Sequence, residues 1–285
     1  MPTKVAILQE KDFAANMTQL MDIMKGLALA SYVKYKKEKE TRFETFIRSF
    51  DRFFYMADLT KAANPFITAQ SDTMCIFLVT SEESFMSGLN SKIIRTGLEI
   101  AGNKPAEFVI LGKKAISRLK AENRQATVFP PIKSKKSLYN IAVKVKDHIV
   151  EKVVKKEYGQ VIVVYADPVS FSNQQATAVK LLPAHDIYPK SMAEGQSSEE
   201  KVTLESSVDA LMMYLSEIWI TNKLFMLFQD NKMAEFAAQA MQMDGSLQNL
   251  SELNRRLKLQ YAKKRGELID ASLREIVTGL IVNKS

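Results

Sequence analysis

Cysteine, proline and glycine are all scarce in this chain of 285 residues. The single cysteine, Cys75, excludes a disulfide within the chain, fits a reducing compartment, and lies in an apolar run at 73–80 that indicates a small buried side chain. The 8 prolines and 10 glycines leave few helix breakers, which favours long helices over a loop-rich all-β fold. No apolar run reaches the ~18 residues of a membrane-spanning helix. The start of the chain also lacks the pattern of a signal peptide.

Motifs that mark catalytic or cofactor-binding sites are missing as well. The sequence has no G-x-x-x-x-G-K-[ST] phosphate loop and no predicted strand followed by G-x-G-x-x-G, which argues against ATP hydrolysis by this chain and against dinucleotide binding. The two histidines, His148 and His185, have no cysteines or carboxylates nearby at zinc-binding spacing. We therefore predict no catalytic residue, no cofactor and no metal. Both histidines are predicted to be solvated or structural, and Trp219 to be a packing residue.

The charge of the chain is positive but modest. Lys and Arg number 40 and Asp and Glu 32, so the formal net charge is +8. This excess suits acidic partners, but charges of both signs are mixed along most of the chain, and no RNA-binding motif with interleaved aromatic residues is present. The sequence therefore predicts no nucleic-acid partner.

Two long helices are predicted at the ends of the chain, in 1–63 and 204–285. Neither region contains a proline after Pro2, and each repeats apolar residues at steps of three and four. At ~1.5 Å per residue both helices are too long for a compact domain, so we expect them to form an antiparallel coiled coil. The one predicted break lies at 243–246, where glycine follows aspartate. The apolar stripes are Phe13, Met17, Leu20, Met24 and Leu27 in the first helix, and Leu250, Leu253, Leu257, Tyr261, Ile269, Leu273, Ile276 and Leu280 in the second.

The region between them, 70–183, alternates between buried-strand and amphipathic-helix patterns. This alternation predicts an α/β domain with a doubly wound parallel sheet. A polar segment at 184–203 reads as a linker. The predicted strands are 73–80, 107–111, 126–129 and 160–165, with an added edge strand in 169–182, and the predicted helices are 84–101, 113–122 and 134–157.

These patterns leave several function classes open. A coiled coil carrying an α/β domain suits a non-catalytic shaft, and it also suits an adaptor protein that binds a partner through the α/β domain. A small-molecule enzyme is the third possibility. It would need a crevice lined by polar groups at the carboxyl ends of the parallel strands.

Four segments of the sequence resemble the gamma subunit of F-type ATP synthases. The stretch LKLQYAKKRGELIDASLREIVTGL at 257–280 is similar to the family's C-terminal signature, and VTSEESFMSGLN at 79–90 is similar to the motif that follows its first strand. ILGKKA at 110–115 and ALAS at 28–31 match further pieces in the same order. The resemblance covers the whole length, and it implies a divergent, non-catalytic central rotor subunit of an F-type or related rotary ATPase.

The sequence departs from the family pattern in one turn and at several positions that, by the resemblance, contact partners. The glycine-rich turn of the family is replaced by charged and bulky residues at 82–87, so the turn there must differ. Lys25 stands where methionine is usual. Gly266, Asp270 and Ser272 replace polar residues of the signature, which puts conventional coupling in question.

The resemblance also implies partners and contact residues. The expected partners are alpha- and beta-type nucleotide-binding subunits, an epsilon-type rotor subunit and a membrane ring, on the cytoplasmic face of a bacterial inner membrane. The apolar end of the second helix, 276–282, would enter an apolar sleeve of the head, which is the ring of nucleotide-binding subunits. Packing of this end on the first helix is a second reading that is compatible with the first. Glu205 would lie near the membrane ring. The residues expected to contact the head are Lys25, Arg265, Ile269, Leu273, Glu275 and Ile276.

Overall fold

Two long helices flank an α/β domain, as predicted. The structure, a computed structural model, describes residues 3–57, 65, 66, 71–83, 86–184 and 207–282, apart from the side chains at 40–57, 87, 135, 136, 208 and 279–282. The helices and strands are α1 Lys4–Ala57, β1 Met74–Val79, α2 Ser87–Ala101, β2 Ala106–Leu111, α3 Ile116–Ala121, β3 Ala126–Phe129, α4 Lys135–Val154, β4 Gln160–Asp167, β5 Gln175–Leu182 and α5 Val208–Val282.

The chain divides into two compact units. Unit 1 combines Met1–Leu29 with Gln239–Ser285, and unit 2 is Ala30–Ala238. The helices α1 and α5 therefore each contribute to both units, while the sheet and the short helices belong to unit 2.

The sheet of unit 2 has the strand order β3-β2-β1-β4-β5. The first four strands are parallel, and β5 runs antiparallel to β4 at the edge, as expected for the added strand in 169–182. Because α2 and α3 join strands in one direction and α4 leads back across β1 to β4, the chain reverses its winding between β1 and β4. The doubly wound prediction is confirmed.

Both faces of the sheet are covered, which explains its continuous apolar strands. Cys75 and Phe77 of β1 face a core formed with α4 and the first half of α5, whereas Ile76 faces a second core formed with α2 and α3. Cys75 is completely buried, and burial raises the pKa of its thiol, so the predicted role as a small core residue is confirmed. Trp219 is only 5% exposed within the first core and is a packing residue, as predicted.

In unit 1, α1 and α5 pair in antiparallel orientation. Ile7, Ala14 and Leu257 form a small buried core between them. Thr18 accepts a hydrogen bond from Asn254 Nδ2 at 3.4 Å. Residue numbers that rise along α1 therefore meet numbers that fall along α5, which confirms the predicted coiled-coil pairing for this unit.

The predicted apolar stripe of α1 is partly wrong. Phe13 and Leu27 are 64% and 65% exposed, whereas Ala14 and Ala28, each the next residue along the chain, are buried. The buried positions follow a heptad spacing, with small residues that let two helix backbones approach closely. The prediction from hydrophobicity alone placed the larger side chains in the contact between α1 and α5, whereas the smaller side chains are buried there. Leu20 is exposed as well, and Met17 and Met24 are half-buried.

The predicted break at 243–246 is also wrong, because α5 continues through it without interruption. Met243 is buried, and Ser246 donates its hydroxyl hydrogen bond to Gln242 O at 2.9 Å, one turn back in the helix. The helical turn around Gly245 is thus held by its neighbours, although glycine is a poor helix former.

Replacing Gly245 with alanine is expected to stabilise unit 1 by about 0.5–1 kcal/mol. Nothing lies within 4 Å of a Cβ added there, so the change removes backbone freedom from the unfolded chain without a clash. Gly266→Ala is a matched variant, since it is also helical and open. Urea unfolding followed by circular dichroism measures both. A loss of stability for Gly245→Ala alone would contradict a continuous helix.

His148 is half-buried, with its ring against Phe129 and Tyr158 at centroid distances of 5.7 and 6.2 Å. Tyr158 donates its hydroxyl hydrogen bond to Glu107 at 2.8 Å. Burial lowers the pKa of His148, and the positive charge of Lys152 adds to this, although nearby carboxylates oppose it. The histidine is structural, as predicted, whereas His185 lies outside the described residues.

The lowered pKa of His148 predicts a loss of stability in mild acid. The unfolded chain takes up a proton near pH ~6.5, while the folded histidine resists protonation to lower pH. The contribution of neutral His148 to the free energy of unfolding is therefore complete above pH ~6.5 and declines below that pH. We expect acidification from pH ~7.5 to ~5.5 to cost wild type more than His148→Asn in thermal melts. Equal slopes for the two proteins would contradict the lowered pKa.

Candidate functional site

The carboxyl end of α5 carries exposed apolar residues. We call residues 265–278 of α5 the tip. Ile269, Leu273 and Ile276 are 49%, 54% and 59% exposed there, so Ile276, the first residue of the apolar end, is not buried against the N-terminal helix. Exposed apolar clusters of this kind mark contact surfaces. The remaining exposed large apolar residues of the tip are Leu268 and Val277.

The tip and the helix before it are rich in basic residues. Arg265 and Glu275 are exposed, and Lys264 pairs with Glu267 at 2.8 Å along the same helix. The surface therefore combines apolar side chains with an excess of positive charge. From 255 to 285 the bases are 255, 256, 258, 263, 264, 265, 274 and 284, against acids at 267, 270 and 275.

Lys25 has a partner within unit 1. Its ammonium lies 2.5 Å from Asp244 Oδ1 on α5, and both side chains are partly exposed. The pair joins the two helices one turn from Ala28. The other expected contact residue, Glu205, lies outside the described residues.

The carboxyl edge of the sheet is the second notable region. The last residue pair between β1 and β4 is Leu78 with Val164. Beyond it, the backbone N–H of Ala166 donates to Asn231 Oδ1 on α5 at 2.9 Å. In doubly wound folds the ligand usually binds in the crevice at the carboxyl ends of the two strands between which the winding reverses, here β1 and β4. Here a side chain of α5 occupies it.

The neighbouring residues of α5 are also polar and buried. Asp230 pairs with Lys39 of α1 at 2.6 Å, and Glu235 pairs with Lys232 at 2.7 Å. Burial raises the pKa of Asp230 and of Glu235, although the adjacent lysines oppose this. Gln229 is 2% exposed. Among the described residues, the edge is thus filled by the protein itself and does not form the open polar crevice that the enzyme hypothesis requires.

The segment after β1 is held by Asn90, the last residue of the family-like motif at 79–90. The backbone N–H of Ser81 donates to Asn90 Oδ1 at 3.0 Å, and Asn90 Nδ2 donates back to Ser81 O at 2.8 Å. Thr80 donates its hydroxyl hydrogen bond to Leu111 O at 2.7 Å, and Glu82 accepts one from the Lys113 amide. Side-chain hydrogen bonds therefore shape this segment, in which the family's glycines are replaced.

No helix within the described ranges is long and apolar enough to cross a membrane. In the same ranges, no three His, Cys, Asp or Glu side chains come together as a metal site would require.

Comparison with known proteins identifies the family. The family model described as ATP synthase (ATP-synt) matches residues 12–281 of the chain. The chain belongs to this family. The ATP synthase gamma chain of Desulforudis audaxviator is 27% identical over 228 residues, covering 76% of this chain and 77% of that protein. The gamma chain of Nitratidesulfovibrio vulgaris is 24% identical over 278 residues, covering 93% and 94%.

Solved structures of ATP synthases share the fold. A chain in the cryo-EM structure of the Euglena gracilis mitochondrial ATP synthase, OSCP/F1/c-ring, has a TM-score of 0.58 at 18% identity, covering 97% of this chain and 94% of that one. A chain of the Tetrahymena thermophila central stalk and c-ring has a TM-score of 0.57 at 15% identity. The sequence-based prediction of a divergent gamma-type, non-catalytic rotor subunit of an ATP synthase is confirmed.

Sequence reasoning missed the polar residues that α5 buries. Asp230, Asn231 and Glu235 stand in a long helical pattern where polar residues normally face solvent. The one available signal of their burial was their position in the sequence. Asp230, Asn231 and Lys232 interrupt an apolar stretch of α5. Asn90, by contrast, belongs to a quoted family motif.

Proposed function

We propose that this ATP synthase family member turns as the central shaft inside a ring of alpha- and beta-type nucleotide-binding subunits, with the tip seated in the ring. The observation that carries the proposal is the exposure of Ile269, Leu273 and Ile276 at the end of a continuous helix. An apolar surface of this kind is unfavourable in water, and a surrounding apolar sleeve would cover it.

The charge of α5 supports a sliding contact. Exposed ion pairs contribute only ~0–1 kcal/mol each, so a basic helix surface can exchange acidic partners as it rotates. A ring with acidic loops would complement the basic stretch from 255 to 285. We infer that Arg265 contacts the head in this way, and we propose that Glu275 contacts the head as well.

Lys25 is proposed to contact the head near its pair with Asp244. Partial exposure of both side chains leaves the ammonium accessible to a carboxylate from outside. The departures Gly266, Asp270 and Ser272 lie on the tip, so they change the surface that the head would meet. Coupling between rotation and catalysis in this complex would then differ in strength from that of other members.

The α/β domain, for which we propose the bounds 70–183, would meet an epsilon-type rotor subunit and the polar loops of a membrane ring. Glu205, after the proposed linker at 184–203, would lie near that ring. The complex would sit on the cytoplasmic face of a bacterial inner membrane, with this chain as a peripheral subunit. These partners follow from the family resemblance and from the ATP synthase complexes that share the fold.

Co-purification tests the proposal. A tag on the α/β domain should recover P-loop ATPase subunits in fixed proportion, and adding the purified chain to those subunits should change their rate of ATP hydrolysis. Recovery of no P-loop subunits, together with an unchanged rate, would contradict the proposal. A chain with the tip removed after 264 is the control, and it should recover far less of the head.

A further inference from the structure

We infer that Asn231 and Glu235 of α5 form a buried polar clamp that locks α5 to the carboxyl edge of the sheet and lets the α/β domain and α5 turn as one body under load. The inference rests on the proposed rotor function. It assigns the transfer of torque within the chain to these two positioning residues, both of which are buried in the chain.

The clamp lies where α5 passes the edge of the sheet. Around this point α5 contacts both cores, since Met233 and Phe236 pack in the core on the α4 face and Ala234 and Ala238 in the core on the α2 and α3 face. Within this crossing, Asn231 accepts the hydrogen bond from the Ala166 amide of β4. Glu235, one turn further along α5, lies near Ser81, which follows β1, and pairs with Lys232 of its own helix at 2.7 Å. One turn of the helix thus lies against the ends of two adjacent strands.

The geometry of a helix makes the clamp sensitive to rotation. Asn231 and Glu235 are four residues apart, so they lie on the same face of α5, whereas Asp230 lies ~100° away and pairs with Lys39 of α1. Turning α5 about its own axis would pull both residues from the sheet edge. Sliding α5 along its axis would leave the Ala166 amide without its acceptor.

Because these contacts are buried, they fix the position of α5 along the edge of the sheet. Asn231 is 2% exposed and Glu235 4% exposed. A buried donor or acceptor without a partner is costly, so apolar packing tolerates a shifted helix far better than these polar groups do. Buried polar groups of this kind can fix a single arrangement of helices where apolar contacts alone permit several.

The test uses the complete complex, with the head subunits fixed to a surface. A bead is attached to the α/β domain through Lys120→Cys, an exposed position, since the native Cys75 is buried. With Asn231→Leu, we expect unchanged ATP hydrolysis without load. Against the viscous drag of a large bead, we expect slips to be about tenfold more frequent than in wild type, which corresponds to about 1.4 kcal/mol.

Two variants separate positioning from general damage to the fold. Asn231→Gln keeps an uncharged amide oxygen that can accept from the Ala166 amide and should restore loaded rotation at least in part. Asn222→Ala removes an amide that donates to Ile218 O of the same helix at 2.9 Å and should rotate like wild type. Should Asn231→Leu not fold, Asn231→Ser replaces it, because the shorter side chain cannot reach the amide.

The outcomes are distinct. Asn231→Leu carrying the same load as wild type would overturn the inference. A wild-type chain that binds the head and does not rotate would overturn the proposed function instead. In that event, hydrogen exchange at the Ala166 amide decides the inference: exchange about tenfold faster in Asn231→Leu supports the clamp, and equal exchange overturns it.

Discussion

Changing Ile269, Leu273 and Ile276 together to glutamine is expected to weaken binding of the chain to the ATPase head at least about 100-fold while leaving the chain folded. Burying an apolar side chain of this size is worth ~1.5–3 kcal/mol, and each 1.4 kcal/mol is tenfold in affinity. The three residues are about half exposed in the chain alone, so their burial is available for binding a partner. Glutamine is a good helix former and adds no charge.

Two measurements on the same triple variant distinguish this result from simple unfolding. Affinity for purified head subunits should fall as stated, and the melting curve of the chain alone should change little, because exposed substitutions are usually within ~0.5 kcal/mol. A matched control changes three exposed apolar residues of the α/β domain and should leave head affinity unchanged. If the triple variant bound the head subunits as tightly as wild type does, the head would not bind the tip. The control residues are Tyr139, Val154 and Val169.

Leu257→Asp is expected to destabilise unit 1 by at least ~3 kcal/mol, whereas Leu259→Asp should change its stability by no more than ~0.5 kcal/mol. Leu257 is 3% exposed in the core with Ile7 and Ala14, and Leu259, two residues along the same helix, is 64% exposed. The substitution at 257 leaves a cavity and buries a carboxylate. Both leucines match the family signature, so sequence resemblance does not separate them.

Hydrogen exchange in the full chain measures this effect where it arises, because it reports the opening of each part of a protein separately. Backbone amides around Ile7 and Leu257 should lose protection in Leu257→Asp, while amides of β1 and β4 should keep theirs. Leu259→Asp should match wild type in both places. Similar exchange for the two variants would mean that α1 and α5 do not pair through Leu257 in solution.

The sequence alone predicted the sheet well and the helix contacts less well. Runs such as MCIFLV in β1 are buried on both faces, and only a covered parallel strand tolerates that composition. In α1, two apolar stripes lie side by side, and the choice between Phe13 and Ala14 depends on how closely the partner helix approaches. That distance is a property of the pair and is absent from one helix's pattern.

The candidate site divides in the same way. The tip was predicted from family-like residues that include Ile269 and Ile276, and its exposure is visible in the structure. The clamp was not predicted, because Asn231 and Glu235 are polar residues in a long helix and such residues normally face solvent. Their burial depends on the place where α5 crosses the sheet edge, which only the assembled fold determines.

Direct observation of rotation tests the central claim that this chain is the shaft of a rotary ATPase. With the head subunits fixed and a probe on the α/β domain at Lys120→Cys, we expect the probe to turn in one direction when ATP is added and to stop when ATP is removed. Steady ATP hydrolysis by the same complexes with the probe held still relative to the head would contradict the claim.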